Sequence, residues 1–528
     1  MNRPDRPWSH DIPDGPWDTI VVGSGMGGMS AAAILSLLGK RVLVLEQHVI
    51  PGGFTHMFKR PGYRWDVGVH IIGEMSERSF LGRLLSTLTG GRLQWESVGD
   101  VYDEFHFPDG FTIQFPSSYH AFRETLLDYF PEEAEGIDGY FRATRAAARA
   151  GSQMLRSRAL PSFVPPGRRR ATEAAVPHLE ASTAEVLDGL IDDPRLKAVL
   201  TAQWGYYGDP PSRSSFLMHA LVVQHFMNGA YYPVGGASSI AEGMLQTVAD
   251  AGGWTSVRRS VEEIVVRNGR AVGVRLDDGT EIGAKRVVSA AGAALTARLV
   301  EPGLPEVADA PFREMGPAHV SLYLGFKGDL AALGGERYCQ WWYRTWDHDQ
   351  AQWDVHPGRP ADPAPVLFCS FPSLKDPHHD AGVEQRHTGE AITFVPWSVF
   401  APWADSTRRT RPDDYSAFKE HLQEVLLEQY LGHYPGLRGI VDHVEMSSPI
   451  STSYYAASHE GSIYGLATPP ARFADLSLLP KTSTKGLFLG GVDVATPGVA
   501  GALNGGMMAA LAAEPLRATR LVQSIMRG

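Results

Sequence analysis

Cysteine is scarce in this chain: Cys339 and Cys369 are the only two among 528 residues. Two thiols cannot build a disulfide framework, and their wide spacing is no metal-ligand pattern. The chain reads as a product of a reducing compartment, and a cytoplasmic location is expected. Long hydrophobic runs are missing as well. No stretch reaches the ~18 consecutive apolar residues of a membrane-crossing helix. The polar, Pro-rich start, MNRPDRPWSHDIPDGPWD, lacks the apolar segment of a secretory signal. There is no Gly-x-Ser-x-Gly elbow and no zinc motif, and His378-His379-Asp380 lacks ligand spacing, so no metal is expected. A basic surplus is absent too. The 48 Lys and Arg against 59 Asp and Glu leave a net charge of −11, which argues against nucleic acid as a partner. With 43% hydrophobic and 20% charged residues, the composition is that of a folded protein large enough to bury a sizeable core.

One segment departs from the acidic background. Residues 141–170 hold eight arginines and no acid, interleaved with Met154, Leu155, Leu160, Phe163 and Val164. One reading is a basic, apolar-tipped patch for peripheral contact with anionic lipid. The other is a solvated helix followed by a Pro-rich loop.

Glycine is plentiful, with 56 residues, and its clustering is informative. Asp18–Val22 is a short β-branched run of the kind found in buried parallel strands. It runs into Gly23-Ser24-Gly25-Met26-Gly27-Gly28, then a small-residue helical stretch over 29–38. A second buried strand over 41–45 ends in Glu46. Strand, glycine loop, helix, strand and terminal acid in register form a dinucleotide-binding βαβ unit. Gly23 allows the turn, Gly25 lets a pyrophosphate approach the backbone, and Gly28 lets helix and sheet pack. The helix N-terminus offers free N–H groups to phosphate. Glu46 would accept from the ribose hydroxyls. The same unit without a ligand is simply a Gly-rich βα turn.

Two further segments point past a nicotinamide. Pro51-Gly52-Gly53-Phe54-Thr55 follows the ribose acid closely, and a second glycine pair there suits the larger ring of a flavin. Near the other end, Gly490-Gly491-Val492-Asp493 and the stretch from Pro497 to Gly506 predict a strand, a turn and a Gly/Ala-rich helix. Asp493 would reach the ribityl chain, and the helix beginning near Pro497–Gly501 would aim its positive end at the flavin. A tightly packed Ala/Gly helix explains the same residues, and both readings can hold together.

Elsewhere, Ser182-x-x-Glu185 is a capping box, and Asn268-Gly269 and Asp278-Gly279 mark hairpin turns among strands in 254–282. Residues 76–229 read as mainly helical, 318–326 and 391–399 as strands of a separate sheet, and 412–434 as an amphipathic helix. The expected fold is α/β. A dinucleotide-binding domain, discontinuous over 16–75, 230–300 and 440–528, interleaves with a second domain over 76–229 and 301–439. Residues 1–15 are expected as a flexible tail.

These segments, with Gly62-Tyr-Arg-Trp-Asp66-Val-Gly68, Tyr231-Tyr232-Pro-Val-Gly-Gly236 and Ser462-Ile-Tyr-Gly465, resemble the FAD-dependent carotenoid desaturase, carotenoid isomerase and retinol saturase superfamily. The run Gly68-Val-His70-Ile-Ile-Gly73 is closest to the retinol saturase branch. The resemblance implies a two-lobed flavoprotein, a Rossmann-like FAD-binding domain interleaved with a substrate domain of mixed sheet plus helical cap over an apolar tunnel, with Gly53 to Thr55 and Gly498-Val499 lining the flavin. The candidate cofactor set is Gly23, Ser24, Gly25, Met26, Gly28, Glu46, Gln47, Gly53, Phe54, Thr55, Val261, Gly491, Asp493, Gly498 and Val499, with the backbone near Val261 on the adenine. Fold analogy does not settle the reaction.

The substrate lobe is aromatic. Trp204, Tyr206, Tyr207, Phe216, Phe226, Tyr231 and Tyr232 form one group; Tyr338, Trp341, Trp342, Tyr343, Trp346 and Trp353 form another. They read as the wall of a channel for a retinoid, carotenoid or unsaturated acyl chain, or as ordinary core. Chemistry at a C=C bond needs a hydride carrier and a proton partner. His70, Tyr231 and Tyr232 are the candidate proton partners, and His70 bonded to backbone is the structural alternative. Only one dinucleotide fingerprint exists, so an external electron donor or acceptor is expected. The leading expectation is an FAD-dependent oxidoreductase that saturates, desaturates or isomerises a polyene. A flavin amine oxidase-like enzyme and a non-enzymatic lipid carrier of the same fold are the alternatives.

Overall fold

The computed structural model describes residues 6–158, 180–308, 310, 313–407 and 409–527. Six short strands make one all-parallel sheet, in the order Trp8–Ser9, Trp254–Val257, Val42–Glu46, Thr19–Val22, Val287–Ser289, Leu487–Leu489. Thr19–Val22 and Val42–Glu46 are buried at every position, because layers cover both faces of the sheet. Met29, Ile34, Leu503 and Met507 of the helices Met26–Leu37 and Gly498–Ala513 pack on one face. Ile264, Val274 and Leu276 of the antiparallel meander Val261–Arg267, Arg270–Leu276, Glu281–Gly283 pack on the other.

The two helices meet almost backbone to backbone. A Cβ on Gly27 would lie 2.6 Å from Gly491 Cα, and one on Gly506 would lie 2.0 Å from the Gly27 carbonyl oxygen. Ser30 Oγ donates to the Leu503 carbonyl at 2.9 Å. Segments more than four hundred residues apart in sequence thus form one layer.

A second, mixed sheet has seven strands: Val441–Ser447, Ala318–Lys327, Arg386–Val395, Val366–Ser370, Cys339–Tyr343, Val101–His106 and Thr112–Pro116. Cys339–Tyr343 pairs with Val101–His106 in parallel, and the other pairings are antiparallel. Helix Asp413–His433 covers one face through Phe418, Leu422 and Leu426. Helices Ala134–Arg158 and Phe216–Phe226 belong to the cap on the other. The Ser182 capping box forms, with Ser182 N–H on Glu185 Oε2 at 2.7 Å and Glu185 N–H on Ser182 Oγ at 3.2 Å.

Four placements differ from expectation. The hairpin Val101–Pro116 lies in a stretch read as helical, because its strands are only six and five residues long and the first does not alternate strictly between buried and less buried positions. Val441–Ser447 pairs in the large sheet rather than with the dinucleotide unit. Residues 396–399 leave the strand ending at Val395 for the short helix Trp397–Phe400. Trp8–Ser9, read as tail, pairs with Trp254–Val257, whose edge would otherwise leave backbone groups unpaired. Of the Arg-rich stretch, 141–158 lie in helix Ala134–Arg158. There Met154 is fully buried against the cap, while Arg142, Arg145 and Arg149 are exposed. Leu160, Phe163 and Val164 lie outside the described residues. Among the described residues no helix is long and apolar enough to cross a membrane.

Candidate active site

Strand Thr19–Val22 ends at Gly23, where a φ of +90° turns the chain toward helix Met26–Leu37. Gly25 is the N-cap, with no side-chain cap bond, and the first turn carries no acid. The first N–H groups of such a helix have no partner within it. A Cβ on Gly28 would sit 1.9 Å from the Gly23 carbonyl oxygen, so the protein's own packing demands glycine there. A Cβ on Gly25 would meet no protein atom within 4 Å, and Gly25 lines a cavity.

Glu46 ends the adjacent strand. Its Oε2 accepts from Ser24 N–H at 2.9 Å and Ser24 Oγ at 2.6 Å, and its Oε1 accepts from His48 N–H at 2.8 Å. The carboxylate is therefore held rigidly beside the glycine loop, with acceptor capacity left on Oε1. Helix Gly498–Ala513 also begins at the cavity without a side-chain cap. Asp493 Oδ2 accepts from Ala293 N–H at 2.8 Å. Two uncapped helix N-termini and a clamped ribose-type acceptor fit a cofactor bearing phosphates and ribose.

One cavity of approximately 1100 Å³ joins this cradle to the large sheet. That exceeds the usual span of single small-molecule pockets, which suits a cofactor and a substrate end to end. All of the sequence-derived cofactor residues line it except Ser24 and Gly28. Those two stand behind the wall, Ser24 holding Glu46 and Gly28 packing the helix.

At the sheet end the wall is Tyr206, Tyr323, Trp341, Phe368, Ile392 and Phe394, with His70 and His319 among them. The His70 ring meets Phe368 edge-on at 4.9 Å between centroids. Its Nδ1 lies 2.9 Å from Glu390 Oε2, a contact without hydrogen-bond alignment. The His70 carbonyl accepts from Lys375 Nζ at 3.2 Å. Burial pushes the imidazole down to about 3, with the Lys375 charge adding to the effect, so His70 is neutral in neutral water. Burial likewise pushes His319 down to about 3.

The carboxyls nearby go the other way. Burial pushes Glu390 up to about 8 against the pull of Lys375 and the Asp66 backbone N–H. Burial and the Glu390 charge push Asp66 up to about 7, although Tyr232 OH and Ala237 N–H donate to it. Asp103, which accepts from Tyr206 OH at 2.8 Å and Trp341 Nε1 at 3.3 Å, is raised well above the carboxylate range by burial.

Tyr231 and Tyr232 are corrected as proton partners, since neither lines the cavity. Tyr232 is buried with its hydroxyl on Asp66, and Tyr231 turns its hydroxyl to the Asn228 carbonyl at 3.5 Å. Most of the second aromatic group is core: Trp342 stacks on His106, Trp346 on Phe107, and Trp353 is buried behind the sheet, leaving Trp341 at the cavity. Glu390, Lys375, His319 and Asp103 were not singled out from the sequence. The available signal was a charged or polar residue at an inward position of an otherwise apolar strand, as in Thr-Gly-Glu390-Ala-Ile-Thr-Phe.

Residues 26–513 match the family described as flavin containing amine oxidoreductase, and the chain belongs to that family. The all-trans-retinol 13,14-reductase of Homo sapiens is 33% identical over 519 residues, covering 93% of this chain and 84% of the relative. That of Danio rerio is 31% identical with the same coverage. Prolycopene isomerase 2, chloroplastic, of an Oncidium hybrid cultivar is 28% identical, covering 85% of this chain and 75% of the relative. Among solved structures, cyclohexylamine oxidase from Brevibacterium oxydans superposes with a TM-score of 0.60 at 18% identity over 96% of this chain and all of that one, which shows the fold alone. The protein is a flavin-dependent oxidoreductase of the retinol saturase and carotenoid isomerase branch.

Proposed function

We propose that the protein binds FAD and changes the saturation or geometry of a carbon–carbon double bond in an apolar polyene of the retinoid or carotenoid class. The observation that carries this reading is one continuous cavity, in which the cofactor cradle opens directly onto an aromatic wall bearing an uncharged imidazole. The relatives similar along most of their length are named for retinol reduction and prolycopene isomerisation. The cyclohexylamine oxidase, at 18% identity, speaks for the fold alone.

FAD, when bound, supplies two-electron chemistry as hydride transfer to or from carbon. Gly25 and the helix N-termini would hold its phosphates, Glu46 its ribose, and Gly53 to Thr55 with Gly498 and Val499 its ring system. The aromatic wall aligns the polyene and excludes water. His70 gives or takes the proton at the carbon next to the one exchanging hydride. Electrons come from, or leave to, an external carrier. A cytoplasmic enzyme collecting substrate at a membrane surface fits the same reading, with Arg142, Arg145 and Arg149 as its basic side.

The test is anaerobic photoreduction of the purified flavoprotein, followed by retinoids, carotenoids and unsaturated fatty acids as oxidants, with the oxidised protein offered amines in parallel. Reoxidation by a polyene supports the proposal. Turnover of amines alone, or a protein that neither carries nor takes up FAD, overturns it.

A further inference from the structure

The large sheet carries a polar row in register beneath the cavity. Tyr323 stands opposite Glu390, Glu390 opposite Ser370, and Cys339 opposite Asp103. Lys375 ties the row together, its Nζ 2.8 Å from Ser370 Oγ and 3.2 Å from Cys339 Sγ. The neighbouring row, Ile392, Phe368, Trp341 and Phe105, is apolar. Polar side chains inside a sheet cost free energy unless they are matched, and Glu390 is poorly matched. It is fully buried, neither carboxyl oxygen has an aligned hydrogen bond among the described residues, and Oε2 lies 2.9 Å from His70 Nδ1. That nitrogen is buried while the His70 ring lines the cavity, so Nε2 is the nitrogen left to face the substrate.

Resting on the reading above, we propose that Glu390 is the proton source behind His70. A neutral imidazole has one N–H, and once that proton is given away the ring must be resupplied at its other nitrogen. Glu390 is the group placed to do this. In the reducing direction the His70 Nε2–H bond breaks, and a C–H bond forms at the substrate carbon made electron-rich by hydride arriving next to it. The Glu390 O–H proton moves to Nδ1 in the same event. The substrate gains the Nε2 proton together with the hydride that a reduced flavin would supply. His70 stays neutral with its proton on Nδ1, and Glu390 is left a carboxylate until water reprotonates it. The oxidising direction is the reverse. Glu390 touches neither substrate nor cofactor, so it is a positioning residue with a proton to lend.

The titratable groups around Glu390 are Lys375, Asp66, Tyr232, Tyr323, Cys339 and His70. Lys375 favours the ionised carboxyl and burial disfavours it; burial prevails, and the carboxyl keeps its proton up to about pH 8.

The experiment is ¹⁵N NMR of histidine-labelled protein without FAD or substrate, from about pH 6 to about pH 10, with His70 assigned by its loss in His70→Gln. The expected result is an Nε2–H tautomer at low pH that becomes Nδ1–H through about pH 8 as Glu390 turns from donor to acceptor, and no such change in Glu390→Gln. A His70 that becomes cationic near neutrality, or a tautomer that never changes, overturns the proposal. The wild-type measurement stands even if Glu390→Gln does not fold, and it is independent of whether polyenes are the substrate. With a substrate in hand, the wild-type rate should fall about tenfold per pH unit above about pH 8, and Glu390→Gln should be roughly 10²–10⁴-fold slower and lack that limb at unchanged flavin content. A Glu390→Gln enzyme that keeps the alkaline limb refutes the role.

Discussion

Gly25→Ala separates what the protein needs at the glycine loop from what its cofactor needs. The backbone there, φ −63° and ψ 173°, is open to any L-residue, and the new Cβ meets no protein atom within 4 Å. Folding stability should hold, or rise by up to ~1 kcal/mol as the unfolded chain loses freedom. The methyl carbon stands about 1.5 Å off the backbone. That is the space through which a phosphate oxygen must reach the helix N–H groups at ~2.9 Å. Losing one or two charge-assisted bonds at ~1.5–3 kcal/mol each amounts to roughly 1.5–6 kcal/mol, which is about 10- to 10⁴-fold weaker FAD binding. Gly28→Ala is the converse. Its Cβ would lie 1.9 Å from the Gly23 carbonyl oxygen, so it should lower the melting temperature before any question of binding arises. The assay is a fluorescence titration of FAD with apoprotein, paired with a thermal melt of each variant. A folded Gly25→Ala protein that binds FAD as tightly as the wild type would refute the assignment of this loop to phosphate.

Three further outcomes are expected. Glu46→Gln keeps an acceptor for Ser24 but loses the charge, and FAD affinity by calorimetry should fall about tenfold, ~1.5 kcal/mol; an unchanged affinity removes Glu46 from the ribose. Lys375→Met deletes the ammonium that favours ionised Glu390, so the alkaline limb of the pH–rate profile should move to higher pH, and a limb that moves down contradicts the arrangement. Glu390 itself has a folded value raised above its unfolded one of about 4.3, so the folded chain keeps a proton the unfolded chain releases. Its contribution is present in full below about pH 4 and is lost toward about pH 8, at ~1.4 kcal/mol per unit. Urea unfolding at both ends of that window should show it, and Glu390→Gln should flatten the difference; identical slopes would count against a buried protonated carboxyl.

The cofactor half of the site was readable because its chemistry is local. Gly23, Gly25, Gly28 and Glu46 lie in one βαβ unit, where the glycines answer backbone demands and the acid a side-chain one, all expressed by spacing. The substrate half was not readable in the same way. His70 was found because it follows the glycine turn at 52–53, but its partner Glu390 lies on a strand 320 positions later and meets it only through a side-chain contact made in the folded protein. Tyr231 and Tyr232 misled because adjacent residues on the strand Ala230–Pro233 point to opposite sides, and neither side is the cavity. The tryptophans of 341–353 divide between the two readings for a related reason: on Cys339–Tyr343 successive residues take opposite faces, so Trp341 reaches the channel while Trp342 stacks on His106 and His433. The hairpin Val101–Pro116 was hidden by its short strands.

The contact of helix Met26–Leu37 with helix Gly498–Ala513 has a consequence for biosynthesis. The first helix emerges early, but the backbone surface that completes its packing, from Gly491 to Gly506, is made more than four hundred residues later. At a translation rate of ~5–20 residues per second, that surface stays uncovered for roughly 20–90 s. The nascent chain must therefore be kept from aggregating through most of its synthesis, and flavin can be captured only after the late segment has docked.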